Sequence, residues 1–527
     1  MGIVKTIGRF FLPADVAVRM RRLELIVWAF LLSLSFYPGW FGFLAWISLV
    51  RPIILIARLE GRAVITSAYF FSFFFNLFSL YWVGLVTPPG MLAAVVIVAF
   101  YYTAVLALFN RLYRMRPLVG FVALPFLWTG IEYFRTLSEF AFPWSDLGYT
   151  QAYFLVILQV VSIISVHGLT LLIVAVNVLL AQAFRRDLSA ERRLTSVFAS
   201  LATVALLAAY GWVVMPAIPV PGKYPVALLQ GSVPLDVKWA RDLREQNYII
   251  YDSLARSVKD SAVNLFIWPE TSAPCYVTHE PYCRARLGDI ARRSGAPHLV
   301  GALGARVVGS EQRHFNSAFQ FDTTGLVVRQ YDKVKLVPFS EQSPYQDYLP
   351  FLREKVLSEY LTFIKTYEVQ WWSDFYPGDS AGLFTVSNVN YGVLICFECA
   401  FPEYARRMVN GGARFLVGIT NDTWFGGSVG IYMHARIFIT RAVENRIWMA
   451  RAANSGLTFV VDDYGRVRSE LPREAVAALS ASLNLSTGSS VFTRYGDIAG
   501  RASFLMLVSI LGILAAQWIG RKIIGRG

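Results

Sequence analysis

Three short stretches each carry a reactive side chain just after a run of β-branched and aromatic residues. "FIWPE" (266–270) ends in Glu270. "YDKVKLVPFSE" (331–341) holds Lys333 and, eight residues later, Glu341. "GVLICFE" (392–398) holds Cys396 and Glu398. A carboxylate, an ammonium and a thiol are the parts of a nucleophilic site. A thiol is a poor nucleophile at neutral pH unless a base takes its proton or a cation stabilises the anion. Glu270 can be that base, and Lys333 can stabilise both the thiolate and the oxyanion formed on attack at a carbonyl.

Singly, each residue has a plainer reading. Glu270 alone is a solvated loop acid, Lys333 a basic strand edge or headgroup contact, and Cys396 a small buried hydrophobe. Their conjunction at strand ends, which share a mouth in layered α/β domains, favours the site. Cys396 and Cys399 also form a C-x-x-C pair, and with Cys275 and Cys283 they make four sulfurs. The spacing is not the doubled C-x2-C of structural zinc sites, so no zinc is expected there, and chemistry by a thiol, a carboxylate and an ammonium needs no metal or organic cofactor. In an oxidising compartment, Cys275 and Cys283 read as a disulfide closing a short loop.

The compartment follows from the elements around these stretches. Of the 527 residues 55% are hydrophobic and only 16% charged, against about 25% charged in soluble domains. The apolar residues concentrate in runs near 25–40, 41–57, 66–86, 91–109, 117–134, 154–183 and 197–215, with one more at 503–519. The first two are short, and Arg51 lies inside the second, which leaves a re-entrant hairpin open. The others suffice to cross roughly 30 Å of hydrocarbon. Lys and Arg alternate along the connections: Lys5, Arg9, Arg19, Arg21 and Arg22; Arg58 and Arg62; Arg111, Arg114 and Arg116; Arg185, Arg186, Arg192 and Arg193; Arg521, Lys522 and Arg526. The intervening loops carry only Arg135. The positive-inside rule then puts both termini in the cytoplasm and the region after the seventh run outside. These anchors account for much of the net charge of +14. No basic run is interleaved with a recognition motif, so no nucleic-acid partner is expected. No small-x-small cleavage site follows the first run, which is read as an uncleaved span.

"PAIPVPGKYP" (216–225) marks the boundary to a soluble part. The domains expected are 1–218 (membrane, about seven spans), 219–492 (catalytic) and 493–527 (a final span and basic tail). In the middle part, strands are expected at 226–230, 264–268, 298–304, 317–321, 383–387, 391–397, 415–420 and 458–463, and helices at 238–258, 284–294, 402–410 and 431–447. That alternation predicts an α/β layered domain. The aromatic-rich segment 345–377 reads either as a surface elaboration or as an interfacial arm.

The flanks of the reactive residues carry a resemblance. "WPE", "YDKVKLVPFSE", "CFE…FPE" and "TNDTWFG" resemble the nitrilase superfamily and, more closely, the bacterial apolipoprotein N-acyltransferase family. "IEYFRT…FPWSDLGYTQ" (131–151) and "LLQGSVPLDVKW" (228–239) agree with that family's membrane part and first catalytic strand. The resemblance implies a polytopic α-helical membrane domain of about eight spans plus an extracytoplasmic nitrilase-like αββα sandwich. It implies Glu270 as general base, Lys333 as oxyanion stabiliser, Cys396 as nucleophile, and Glu341 and Glu398 as supporting carboxylates. Trp239, Trp424 and Asn421 become substrate contacts. Departures from the family pattern are Lys335 in place of histidine, Ser340 in place of glycine, and Thr420 in place of serine.

The reaction implied is a ping-pong acyl transfer. Cys396 would take an acyl chain, typically the sn-1 chain of phosphatidylethanolamine, as a thioester and pass it to the α-amine of a diacylglyceryl apolipoprotein. A monomer in the bacterial cytoplasmic (inner) membrane is expected, with its catalytic domain in the periplasm. Two alternatives are a membrane-tethered nitrilase-type amidase and a non-catalytic scaffold for a lipid-linked sugar synthase. Seven spans are a poor fit to a mere anchor, and an intact triad argues against the scaffold.

Overall fold

A computed structural model of the chain describes residues 15–218, 220–235, 238, 244–258, 262–346, 348–349, 375–380, 382–486 and 488–524. Trp239 and most of the 345–377 segment lie outside the described residues.

The first part is helical: α1 (Val16–Leu34), α2 (Val50–Ala57), α3 (Arg62–Leu80), α4 (Pro88–Met115), α5 (Pro117–Phe134), α6 (Val161–Ala183) and α7 (Ala190–Val214). Pro at the first turn of α4 and α5 costs no helical hydrogen bond there, since those N–H groups have no partner in a helix anyway. Seven helical segments among the described residues are long and apolar enough to cross a membrane. They begin with Trp40–Ala57 and include the last helix of the chain. The first apolar run lies partly on α1, which does not belong to this set: Arg19, Arg21, Arg22 and Glu24 crowd its N-terminal half. The second run is a 3-10 turn, Trp40–Trp46, followed by α2. Its internal charge, Arg51, meets Glu24 of α1 at 2.6 Å.

The middle part is two six- and seven-stranded sheets. The first has the order β13-β1-β2-β4-β5-β6, with β3 beside β4. It comprises β1 (Tyr224–Gln230), β2 (Leu265–Ile267), β3 (Ala273–Tyr276), β4 (His298–Val308), β5 (Glu311–Phe321), β6 (Val327–Asp332) and β13 (Ala477–Leu483). The second has the order β12-β11-β10-β9-β8-β7. It comprises β7 (Leu383–Val386), β8 (Val389–Ile395), β9 (Leu416–Thr420), β10 (Met449–Ala453), β11 (Phe459–Val461) and β12 (Val467–Glu470).

Side chains alternate across each strand and so sort into layers. On β1, Val226 and Leu228 enter the core between the sheets with Val393 and Ile395 of β8. Ala227 and Leu229 point the other way, onto Tyr251 of α8 (Arg244–Ser257) and Leu287 of α9 (Pro281–Ser294). Helices α10 (Pro402–Asn410) and α11 (Val429–Asn445) add Met408 and Phe438 to the core on the side of the second sheet. The result is the expected αββα sandwich. Five strands were not anticipated. β12 is exposed or half-buried and mostly polar, β13 is partly exposed and rich in Ala and Ser, and β10 ("MARAA") is rich in good helix formers. Pairing with β9 and complete burial override that local preference.

The final helix, α12 (Ile498–Ile524), returns to the bundle and packs on α5 and α6. At its start Asp497 accepts from Ser165 Oγ at 2.6 Å and pairs with His167 of α6. Cys275 and Cys283 are joined in a disulfide, whereas Cys396 and Cys399 are free thiols. Two of the four sulfurs are therefore committed to each other.

Candidate active site

The sandwich delivers its reactive groups from strand ends. Glu270 follows β2, Lys333 follows β6, and Cys396 follows β8 at the first position of a 3-10 turn, Cys396–Ala400. Glu270 and Lys333 are almost completely buried, while Cys396 is partly open.

Lys333 Nζ lies 2.9 Å from Glu341 and 3.5 Å from Glu270 Oε1. Asn316 of β5 donates to both carboxylates, at 2.8 Å to Glu270 and 3.0 Å to Glu341. The other oxygen of Glu270 accepts the Asn421 backbone N–H at 3.0 Å. Glu270 is thus fixed by three donors from three elements, and Glu341 ties Lys333 in place. Burial alone would push the Lys333 ammonium down, but Glu341 and then Glu270 hold it above its ordinary value. Burial, followed by repulsion from Glu270, pushes the Cys396 thiol well up, and Lys333 and a hydrogen bond with Thr420 only partly oppose this. The thiol therefore rests protonated until a base removes the proton, which is the arrangement general-base catalysis requires.

Glu398 makes no hydrogen bond or ion pair with the thiol or with Lys333. It is fully buried, and its Oε1 accepts from Tyr331 OH and Val334 N–H, both at 2.7 Å, and from Lys335 N–H at 3.3 Å. Its Oε2 accepts from Ile395 N–H at 2.8 Å. One carboxylate thus joins the backbone after Lys333 to the backbone before Cys396, orienting both through the main chain. Lys238 was not singled out from the sequence. It is buried beneath Glu270 and donates to the Glu270 carbonyl at 3.1 Å and to Thr271 Oγ1 at 2.7 Å. Burial brings its ammonium down to about 7, against the pull of Glu270.

Cys399 is completely buried, and burial holds its thiol far above the usual range. It behaves as a small apolar residue. Cys396 instead opens on a cavity of about 340 Å³. Val86, Ala94 and Ile97 from the α3–α4 region line it together with Trp82, Trp144 and Phe425. Phe425 rather than Trp424 lines this cavity; Trp424 is half-buried against the core. Asn421 contributes its backbone N–H to Glu270, and its side-chain oxygen accepts from Thr423 at 2.8 Å. Lys335, the departure from the family histidine, donates to the Ser138 carbonyl at 2.6 Å and lies over the Phe401 ring. Among the described residues no group of His, Cys, Asp and Glu is arranged to hold a metal ion.

The loop "FPWSDLGYTQ" (142–151), between α5 and α6, docks the helices onto this site. Trp144 packs on Phe397, and Tyr149 OH donates to the Ala400 carbonyl at 3.4 Å while accepting from Arg441 at 3.0 Å.

Residues 28–179 match the family model for the apolipoprotein N-acyltransferase N-terminal domain, and residues 225–491 match that for carbon-nitrogen hydrolase. The apolipoprotein N-acyltransferase of Geobacter metallireducens is 32% identical over 498 residues, covering 92% of this chain and 93% of that protein. Its counterpart from Chlorobaculum tepidum is 30% identical over 521 residues, covering 92% and 95%. A third, from Brucella melitensis, is 28% identical over 438 residues, covering 79% of each. Helical bundle, nitrilase-like sandwich and nearly the whole length align together, and the chain belongs to the apolipoprotein N-acyltransferase family.

Proposed function

We propose that this chain moves a fatty acyl group from a membrane phospholipid, phosphatidylethanolamine first among them, to the α-amine of the diacylglyceryl-cysteine of an apolipoprotein. It would act as a monomer in the bacterial cytoplasmic membrane, with the sandwich on the periplasmic face. The observation that carries this reading is that the one partly open thiol lines a cavity that the apolar helix α4 also lines. An acyl chain can lie there with its ester carbonyl at Sγ.

In the proposed cycle Glu270 takes the Sγ proton and Sγ attacks the ester carbonyl. Lys333 stabilises the oxyanion. The C–O bond then breaks, Glu270 returns the proton to the leaving glycerol oxygen, and lysophospholipid departs. In the second half Glu270 takes a proton from the incoming amine, nitrogen attacks the thioester, and the C–S bond breaks. The thiolate is reprotonated, so the conversion of an ammonium to an amide releases one proton overall. Both substrates are lipid-anchored, so the bilayer concentrates and orients them. The apolar walls disfavour water, the competing nucleophile.

The test is intact-mass analysis of the purified protein after incubation with phosphatidylethanolamine. The expected result is an acyl adduct that neutral hydroxylamine removes, that is absent from Cys396→Ala and that persists in Cys399→Ala. Transfer of the acyl group from the adduct to a diacylglyceryl peptide completes the cycle. Loss of the adduct in Cys399→Ala but not in Cys396→Ala would overturn the assignment. Hydrolysis of simple amides without any phospholipid-derived adduct would favour the amidase.

A further inference from the structure

Cys396 has φ of 51°, a left-handed conformation that an L residue adopts only at an energetic cost. Some contact must hold it there. The carbonyl of Cys396 faces His434 Nε2 at 3.2 Å. His434 lies on α11, is completely buried, and is packed among the rings of Trp144, Phe425 and Phe438. A carbonyl oxygen can only accept, so Nε2 carries the proton of this contact.

The ring is itself anchored. Its Nδ1 lies 2.9 Å from Asp422 Oδ1 and 3.3 Å from Arg451 Nη2, so the ring sits against both the carboxylate and the guanidinium. Arg451 holds the same carboxylate at 2.8 and 3.1 Å, and all three side chains are fully buried. Gly456 leaves the necessary room: a Cβ there would stand 2.0 Å from Asp422 Oδ2. Asp422 also accepts from Thr420 Oγ1 at 3.1 Å, and the Thr420 hydroxyl in turn reaches the Cys396 thiol. Two arms therefore run from Asp422 to the nucleophile, one to its carbonyl through His434 and one to its sulfur through Thr420.

We propose that His434 is a positioning residue for the nucleophile: held by Asp422 and Arg451, it pins the Cys396 carbonyl and thereby keeps the strained turn, and Sγ with it, at the wall of the apolar cavity. It touches no substrate and exchanges no proton in the cycle. The inference deepens the acyl-transfer reading and rests on it for the identity of the substrate, but the geometry concerns the thiol alone.

The experiment uses the full chain in detergent–phospholipid micelles and compares His434→Gln, His434→Asn and His434→Ala with wild type. A Gln amide reaches the position of Nε2 and can donate to the Cys396 carbonyl; an Asn amide reaches only the position of Nδ1. Three quantities are read: the rate of acyl-adduct formation from phosphatidylethanolamine, the rate of Cys396 alkylation by iodoacetamide across pH, and the melting temperature. The charged groups that face the ring are Asp422 and Arg451, and those that face the thiol are Glu270, Lys333 and Glu341. All of them are unchanged in every variant.

Misplacing a reacting atom by about 1 Å costs about a hundredfold in rate. The Asn and Ala variants should therefore form the adduct about a hundredfold more slowly, with the KM for phospholipid unchanged and the alkylation profile displaced. Gln should stay within about tenfold of wild type. Wild-type acylation rates and alkylation profiles in the Asn and Ala variants would overturn the proposal. So would a folded Gln variant as slow as Ala. Should Asn and Ala not fold, the Gln variant alone decides: retention supports the proposal, and loss at wild-type melting temperature refutes it. A wild-type protein that forms no adduct would sink the acyl-transfer reading instead, and the alkylation comparison would still judge His434.

Discussion

At the residue scale, the charges around Cys396 pull in opposite directions, and this gives a prediction whose sign is easy to miss. Glu270 raises the thiol pKa and Lys333 lowers it. Glu270→Gln removes the repulsion and leaves the cation, so more thiolate is present at any given pH. Alkylation of Cys396 by iodoacetamide should be slow in wild type up to and beyond pH 9 and faster in Glu270→Gln at pH 8. Acyl-adduct formation should fall by about a hundredfold or more in the same variant, because the proton of the leaving oxygen has no donor. A parallel loss of both reactivities would mean that Glu270 acts by holding the structure together. The catalytic candidates were legible because a thiol, an ammonium and a carboxylate at strand ends are unusual in one chain. Asn316, Lys238, Asp422 and His434 were not legible. An asparagine within "FNSAF" or a histidine on a helix of mixed composition has no local signature. Each takes its role from a partner between 12 and 46 residues away that only the folded sheets bring near.

At the element scale, two connections do the joining. Glu398 receives four N–H or O–H donors from two strand ends, so an amide in its place must leave at least one donor unmet or turned against another N–H. Glu398→Gln should lose about 1–3 kcal/mol of stability and slow adduct formation, whereas Tyr331→Phe, which removes a single donor, should lose about 1 kcal/mol. Thermal melts in detergent separate the two. The cavity belongs to this scale as well. Ala94 on α4 lines it, and Ala94→Trp should take up part of its volume. Adduct formation from long-chain phospholipids should then fall more steeply than from short-chain ones, while alkylation by iodoacetamide stays unchanged. Equal rates for all chain lengths would show that the chain lies elsewhere. The strands that form the site were mostly foreseen from their apolar runs. The docking loop 142–151 was visible as a motif, but not as the bridge between the helices and the turn at Cys396. That function depends on Trp144 and Tyr149 meeting Phe397 and Ala400 across 250 residues of chain.

At the scale of the whole molecule, the helices arrange their charges by end. Arg114, before α5, pairs with Glu60, before α3, at 2.6 Å, and the Arg185 guanidinium, after α6, lies 5.6 Å from the Phe121 ring of α5. The connections rich in arginine therefore gather at one end of the bundle. The opposite end carries Val86, Ser138 and Trp144, beside Cys396. The one arginine in its loops, Arg135, is buried and offset by Asp146 at 3.3 Å, so it offers the bilayer surface no free charge. The positive-inside rule, applied to this distribution, predicts that the site lies on the outer face. Two exposed positions test it in a Cys396→Ala background, where Cys399 is buried and the other cysteines are bonded to each other. Ser310→Cys sits at the tip of the β4–β5 hairpin, and Ala190→Cys at the start of α7. A membrane-impermeant maleimide should label Ser310→Cys in intact spheroplasts and Ala190→Cys only after lysis. The reverse pattern would put the sandwich in the cytoplasm, away from lipoproteins already carried across the membrane, and the acyl-transfer reading would lose its acceptor.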